Sequence, residues 1–400
     1  MSAYANYGTG KIYFGITDDG KRTGMASPEK NVLDLENQIN DNIHPRPSFS
    51  FEIDQDNVIV LTVQKGYETP YCYHGKAYKR NDSSTVEVTS LEYKNLVLKG
   101  LNLTFTEIPA ETENLTFRTF EQAFADRFGI PARFPDTYLT LGLYSPVGGY
   151  NNGAFLLSDQ NSLPGIDVVM YGEDRSVIRK RHTLEGKSVL DLIDECLNLF
   201  EAEYTYEAVE GLYRIVKEQI PEDGFREVIV NAVVHREWQI PAHIKVEFFA
   251  DRVTVTSPGG LPEGLSENEL LSDHHISIAR NTALAIVFLQ LGLIEKLGTG
   301  IPKINRIYEQ SSQKPVFQIT DNMVSITLPQ IESRLPLSRE QKQVYNLIGM
   351  NQPVSSSQLL EKVNVSKSTL TRILNSLVED HLIERTGRGR SVRYTIKQII

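Results

Sequence analysis

A multidomain α/β (α+β) fold is predicted by three observations: the length, the alternation of strand-like and helix-like stretches, and a reversal of charge sign near the C-terminus. The chain has 400 residues. Compact domains usually run about 100–200 residues, so several are expected. Period-two alternation recurs in KIYFGIT (11–17), SFSFEI and NVIVLTV, interleaved with helical stretches near 28–41, 119–128 and 187–218. That mixture builds packed sheets and helices. Residues 335–400 carry ten Lys+Arg against five Asp+Glu, whereas the preceding residues carry 31 against 46. An acidic body with a basic appended module follows.

In chain order, the strand at 11–17 ends in the turn DDGKRTG, and the helix at 28–41 leads to two further strands. Residues 1–103 thus form one mixed α/β unit. Residues 104–220 read as a linker and connecting region: a helix at TFEQAFADRF, another near 136–144, strands at AFLLS and IDVVMYG, and a long helix at 187–218. A third unit spans 221–330, and a short tether leads to the basic module at 335–400.

Hydrophobic residues make up 40% and charged residues 23%, the balance of a soluble globular protein. No apolar stretch approaches the roughly 18 residues of a bilayer span. The first twenty residues lack a basic stretch followed by an apolar core, so a cytoplasmic location without a membrane partner is expected. Two cysteines, Cys72 and Cys196, have no metal or redox spacing and read as buried thiols. GxxxxGK[ST] is absent, so helicase action is not expected.

In the basic module, Ser338 precedes Gln341 and Ser355 precedes Gln358 by three residues, each ahead of an apolar run, the signature of a capped helix start. A third helix begins at Ser366, with Leu370, Leu374, Leu377 and Val378 on one face. Lys367, Ser368, Thr371, Arg372 and Asn375 are left outward. LIERTGRGRSVRYTI reads as a hairpin carrying Arg385, Arg388, Arg390 and Arg393. Three helices and a basic hairpin resemble a winged helix-turn-helix domain. On that resemblance Lys367, Ser368, Thr371 and Arg372 reach the major groove of double-stranded DNA and the arginines of the wing contact phosphate. The alternative is a protein–protein module with solvated charges.

PEDGFREVIVNAVVHREW places Glu227 and Asn231 four apart on one face of an otherwise apolar helix. Two strands, IKVEFFA and RVTVTS, follow, then SPGGLPEGL and EKLGTGIPKI, whose glycines allow close backbone approach. Gly298 and Gly300 open a predicted helix, where free N–H groups suit an anion. REVIVNAVVHRE, DRVTVTSPGGLP, RNTALA and LGLIEKLGTGIPKI, in that order, resemble the GHKL ATPase superfamily, an α/β sandwich, and most closely its divergent branch attached to Schlafen/AlbA-type regulators. The resemblance implies ATP and Mg²⁺ as ligands. It assigns Asn231 to Mg²⁺ and Glu227 to the attacking water as the catalytic residue. Gly259 and Gly260 would border adenine, and Gly298, Thr299 and Gly300 would cap the phosphates. Ser257 stands where the superfamily has an aspartate reading the adenine amino group; a hydroxyl accepts a hydrogen bond there without charge. His235, beside Arg236, reads as a hydrogen-bonded structural residue. A degenerate ATPase fold kept as a dimerisation scaffold is the alternative.

SAYANYGTGKIYFGITDDGKRTGM and PYCYHGKAYKRNDSST resemble the Schlafen/AlbA-type domain, with Asn6, Gly8 and Gly10 building the turn into the first strand. Members of that family usually carry a further stretch before this string, on which the eukaryotic ribonuclease site draws. Asp18 and Asp19 alone are too few ligands for a metal nuclease, and the residues themselves read as a hairpin turn.

The combined resemblance implies a homo-oligomeric DNA-binding regulator, most readily transcriptional, tuned by nucleotide. An ATP hydrolase sensing nucleic acid, for example in phage defence, is the second expectation. A Schlafen-type nuclease or a pure scaffold comes behind both.

Overall fold

Apolar residues at alternate positions of the strands and along one stripe of most helices must be buried against another layer, and this requirement organises both parts of the molecule. The computed structural model describes the chain apart from residues 83, 211–212, 263, 273–277, 296–299, 332–338, 349–352, 361, 364, 380–382, 388–391 and 397–400. Two units result, Met1–Gln330 and Ile331–Ile400.

At the start of the first unit, strand Gly10–Phe14 pairs antiparallel with Ile59–Val63, which pairs in turn with Phe49–Ile53. Helix Pro28–Asn42 contributes Ile39 to the same small core as Leu61 and Val63. Residues Ser2–Tyr7 form a helix that takes in Asn6, while Gly8 ends it and Gly10 opens the strand, so the turn is shorter than expected. Asn6 is fully buried there: its amide donates to the Tyr71 carbonyl at 3.0 Å and accepts from the Tyr71 N–H at 2.7 Å, as a neighbouring strand would. Helix α1, Ser90–Gly100, starts at a reciprocal cap between Thr89 and Glu92.

The body of the unit is a six-stranded sheet built from β1 (Ile166–Tyr171), β2 (Ile178–Leu184), β3 (Ile244–Phe248), β4 (Arg252–Pro258), β5 (Val316–Ile319) and β6 (Met323–Pro329), in the order β2-β1-β3-β4-β6-β5. β1 and β3 are parallel and the other pairs antiparallel. Two of these strands come from residues read as connecting region. One face turns Val168, Val246, Phe248, Val253, Val255 and Leu328 toward α2 (Val189–Tyr204) and α3 (Glu222–His235). Phe200 and Phe225 stack between the two helices with centroids 4.0 Å apart. The other face carries polar ladders, Thr254 to Thr327 and Thr256 to Ser325, each 2.9 Å. α4 (Thr282–Leu291) and α5 (Gly300–Ile307) complete the body.

Three expectations here need correction. AFLLS lies mainly in a short helix, Asn152–Leu157, started by Asn151 accepting from the Ala154 N–H; a short apolar run carries no period that separates strand from helix. The long helix at 187–218 ends at Tyr204, and Thr205–Glu210 pairs with Tyr213–Glu218 as a hairpin. Tyr204 anchors the break with its hydroxyl, whose single proton is shared between the Phe249 and Arg252 carbonyl oxygens at 2.7 and 2.8 Å. Cys196 is buried, but Cys72 is only half-buried.

The second unit contains α6 (Arg339–Leu347), α7 (Ser356–Leu360), α8 (Lys367–Glu379), and a hairpin of β7 (Ile383–Thr386) and β8 (Arg393–Ile396). Ser355 and Gln358 form the expected reciprocal cap, and Ser366 accepts from the Thr369 N–H at 3.1 Å. Ser338 lies outside the described residues. Leu370, Leu374 and Leu377 join Val344, Ile348, Leu359 and Ile383 in one core.

Candidate functional site

α3 is buried on almost every side, so the two polar residues that face its open flank stand out. Glu227 and Asn231, one turn apart, meet there: the Asn231 amide donates to the Glu227 carbonyl and to its Oε1, each at 2.7 Å. Both amide protons are thereby committed, and Oδ1 is left as an acceptor with no partner among the described residues. α5 crosses this pair at its N-terminus. A Cβ on Gly300 would lie 2.7 Å from Glu227 Oε1 and 3.1 Å from the Asn231 amide nitrogen, so only glycine lets the helix end come this close. From the next turn of α5, Lys303 brings its ammonium to 3.3 Å from Glu227 Oε2.

Opposite α3, strand β4 ends in Ser257 and Pro258 and runs on into Gly259 and Gly260. Ser257 donates its hydroxyl proton to the Ala232 carbonyl of α3 at 2.9 Å, so toward the cleft it offers only lone pairs. Gly259 has φ +100°, and a Cβ there would meet Glu237 at 2.6 Å. Gly260 lies against the Asp321 carbonyl with the same 2.6 Å clearance. Glu227, Asn231, Ser257, Gly259, Gly260 and Gly300 therefore line one cavity, closed by the apolar Val255, Ile304 and Ile326. Counting its open mouth it holds about 1120 Å³. Gly298 and Thr299 lie outside the described residues.

Three residues that sequence reasoning left without a role hold this wall in place. Arg280 donates to the His235 carbonyl at 3.1 Å and to the Gly260 carbonyl at 2.7 Å, clasping the glycine turn to the end of α3. Asn281 donates to the Val234 and Arg236 carbonyls at 2.7 and 2.9 Å. Together they satisfy helix-end carbonyls that have no intrahelical partner. Lys303 is the third. It follows Gly300 at helical spacing, a signal that could have found it. Arg236, fully buried, donates to the carbonyls of Pro164, Ile240 and Ala242 and lies over the Trp238 ring at 4.3 Å. Burial lowers its pKa to about 10. His235 lines the cleft; burial first, then the Arg280 charge, lowers its pKa to about 4, so its imidazole is neutral near pH 7. Behind the wall, Glu237 accepts from Asn95 of α1 at 3.3 Å and Gln239 donates to Asn95 at 2.6 Å, joining the N-terminal region to the cleft.

In the second unit Lys367, Ser368, Thr371, Arg372 and Asn375 are all exposed, on the side of α8 opposite its buried leucines. Arg385 is exposed on β7, opposite Tyr394. Arg393 pairs with Thr386, so alternation places it on the other face of the hairpin, half-buried and donating to the Val392 carbonyl at 3.1 Å. Arg388 and Arg390 lie outside the described residues.

Fold and cleft define a protein with an α/β ATPase-like body and a winged-helix module. Three family models match, in chain order: "Schlafen, AlbA_2" at residues 1–89, "Putative ATP-dependent DNA helicase recG C-terminal" at 242–328, and "MarR family" at 337–390. The chain thus carries an AlbA_2 domain, an ATPase-like domain and a MarR-type winged helix, the architecture its motifs resemble. The ATPase-like match begins at Ala242, downstream of α3, so it does not itself cover Glu227 and Asn231, which the helix spacing and the cleft geometry bring to the site. No curated protein matches the chain. Among solved structures it resembles the crystal structure of the DIP2311 protein from Corynebacterium diphtheriae, with a TM-score of 0.51 and 18% identity over 97% of this chain and 83% of that one, a likeness of fold. Among the described residues no helix is long and apolar enough to cross a membrane.

Proposed function

We propose that the protein is a DNA-binding regulator, acting on transcription, whose winged helix grips duplex DNA and whose ATPase-like domain binds ATP with Mg²⁺ as a switch. The observation that carries the reading is the division of α8 into a leucine face locked in its own core and a face of Lys367, Ser368, Thr371 and Arg372 left open. A helix so held presents short polar and cationic side chains at the depth a major groove requires. On the ATPase-like side, the spare Asn231 Oδ1 and the bare Gly300 fit a hard cation and a phosphate. Mg²⁺, when present, supplies neutralisation of phosphate charge. Asn231 would hold it, Ser257 would accept from the base, Gly259 and Gly260 would flank the ring, and Gly298 and Thr299 would continue the phosphate cradle. A ligand shifts an equilibrium of domain arrangements only by its differential affinity for them, so DNA affinity should change when ATP binds. We further propose a cytoplasmic homo-oligomer reading two half-sites.

The test is a salt-titrated gel-shift assay of the full chain on duplex DNA, with and without ATP-Mg²⁺. Retardation that weakens with salt and changes with nucleotide is expected; no retardation at low salt would defeat the reading. A second reading, ATP hydrolysis driven by nucleic acid, is favoured by the placement of the Glu227 carboxylate at the cleft beside Asn231. Phosphate release by wild type that is lost in Glu227→Ala would select it, and absence of release from both would select the binding switch.

A further inference from the structure

We infer that the outer face of the six-stranded sheet is a second contact for the phosphate backbone of duplex DNA, one that holds the duplex without reading its sequence. The inference rests on the DNA-binding reading for the identity of the partner and goes beyond it in placing a contact on the first unit.

Strand register builds the face. On the side turned away from α2 and α3, one row of side chains crosses the whole sheet as Arg181, Val169, Glu247, Thr254, Thr327 and Val316. The neighbouring row sets Lys245 between Asp167 and Thr256. Charge is layered here. Arg181 grips Asp167 through Nε and Nη2 at 2.9 and 2.8 Å, and its Nη1 has no partner among the described residues. The arginine side chain is 62% exposed and the carboxylate beneath it 13%. Glu247, 4% exposed, lies under two cations, Lys245 at 2.9 Å and Arg175 at 3.2 Å, which are 46% and 66% exposed. Three cations therefore cover two carboxylates, and the cations are what solvent meets. Exposed Glu173, Asp174 and Asp251 stand in the turns at one end of the sheet, outside both rows. The chain before the basic module has an excess of acidic residues, so this layering is local.

Such a surface suits a polyanion. Contacts that fix a duplex without specifying its sequence run from Arg, Lys, Ser and Thr side chains to phosphate, and Thr183 and Thr256 set hydroxyls on either side of Asp167 and Lys245. A single strand would need exposed rings on which its bases could stack. The two rings on this face do not serve. Tyr171 and Phe249 are buried, stacked at 5.0 Å, with the Arg175 and Arg252 guanidiniums over Phe249 at 5.7 and 4.2 Å. A duplex, with phosphates outward and bases inward, matches what the face offers.

A salt-titrated gel shift of the full chain on a long duplex of arbitrary sequence tests this. The double variant Asp167→Asn/Arg181→Gln keeps the net charge and leaves no buried carboxylate unpaired. It should lower the slope of log affinity against log salt by about 1, the loss of one phosphate contact. Lys245→Gln, with Glu247 still paired to Arg175, should do the same. Asp167→Asn alone leaves the cation in place and should not lower the slope. The same pattern should appear in a chain whose Lys367, Arg372 and Arg385 are alanine, where the winged helix contributes less. Thermal unfolding of each variant separates a folding defect from a lost contact. Slopes that respond only to the winged-helix substitutions would overturn the inference and leave the DNA-binding reading standing. Retention of wild type on poly-glutamate that the double variant loses, with DNA slopes unchanged, would assign the face to an acidic protein instead. Wild type that leaves duplex DNA unretarded at low salt would remove the underlying reading itself.

Discussion

His235 closes α3 on the wall of the cleft, held neutral by burial and by the Arg280 charge, with its pKa lowered to about 4. The sign of its contribution follows from linkage. The unfolded chain takes up a proton near pH 6.5, the folded one only near 4, so the stability this residue contributes is complete above about pH 6.5 and is lost as pH falls toward 4. Thermal unfolding of wild type and His235→Asn between pH 7 and 4 should show the wild type losing ground over that window, with no change in the gap above pH 7. Parallel curves would show that the imidazole is solvated. The sequence reading of His235 as a structural residue beside Arg236 came from its isolation. Its low pKa comes first from burial by the fold and then from the charge of Arg280, 45 positions away, and neither could be read locally.

The elements around the cleft are set by contacts that leave no room for a methyl group. At Gly300 the helix end rests on the Glu227 and Asn231 side chains. Gly300→Ala should improve the intrinsic helix propensity of α5 by up to about 1 kcal/mol while pushing its new Cβ against Glu227. Nucleotide affinity should therefore fall without a loss of thermal stability, as calorimetry and an unfolding curve on the same variant would reveal. A variant that unfolds early instead would mean that the close approach is needed for folding. The clasp of Arg280 and Asn281 on the end of α3 shows why RNTALA recurs beside the helix in space while standing far from it in sequence. Motif order placed these residues in one unit, but not against the same helix end. The helix Asn152–Leu157 and the hairpin after Tyr204 had no local signature strong enough to oppose the apolar pattern, and packing decided both.

For the molecule as a whole, the segregation of charge is the dominant electrostatic fact. A net charge of −10 disfavours general adhesion to nucleic acid, and the basic C-terminal unit is where the proposed DNA partner would meet a net excess of positive charge. Its binding to DNA should fall linearly in log affinity with log salt, and Lys367→Ala or Arg372→Ala should each reduce that slope by about 1 if the residue meets a phosphate. Arg385→Ala should act likewise, while Arg393→Ala, whose side chain is itself half-buried and bonded to the Val392 carbonyl, should change the slope less. Slopes unchanged in all four variants would assign the module to a protein partner. The hairpin shows how far pattern reading goes: it finds a basic wing, yet the register across β7 and β8 divides its arginines between two faces.

By itself the sequence determined the three-part architecture, the capped helices of the C-terminal unit, the outward face of α8 and the residues that border the cleft, because each rests on local periodicity, local capping or short motifs whose chemistry is carried by neighbours in the chain. Only the tertiary structure decided that two strands before α3 belong to the same sheet as the four after it, that Arg280 and Asn281 clasp the end of α3, and that Lys303 lies on Glu227. Those contacts span 45 residues or more between partners brought together by burial of the sheet's apolar face, and no local preference encodes a distance of that kind.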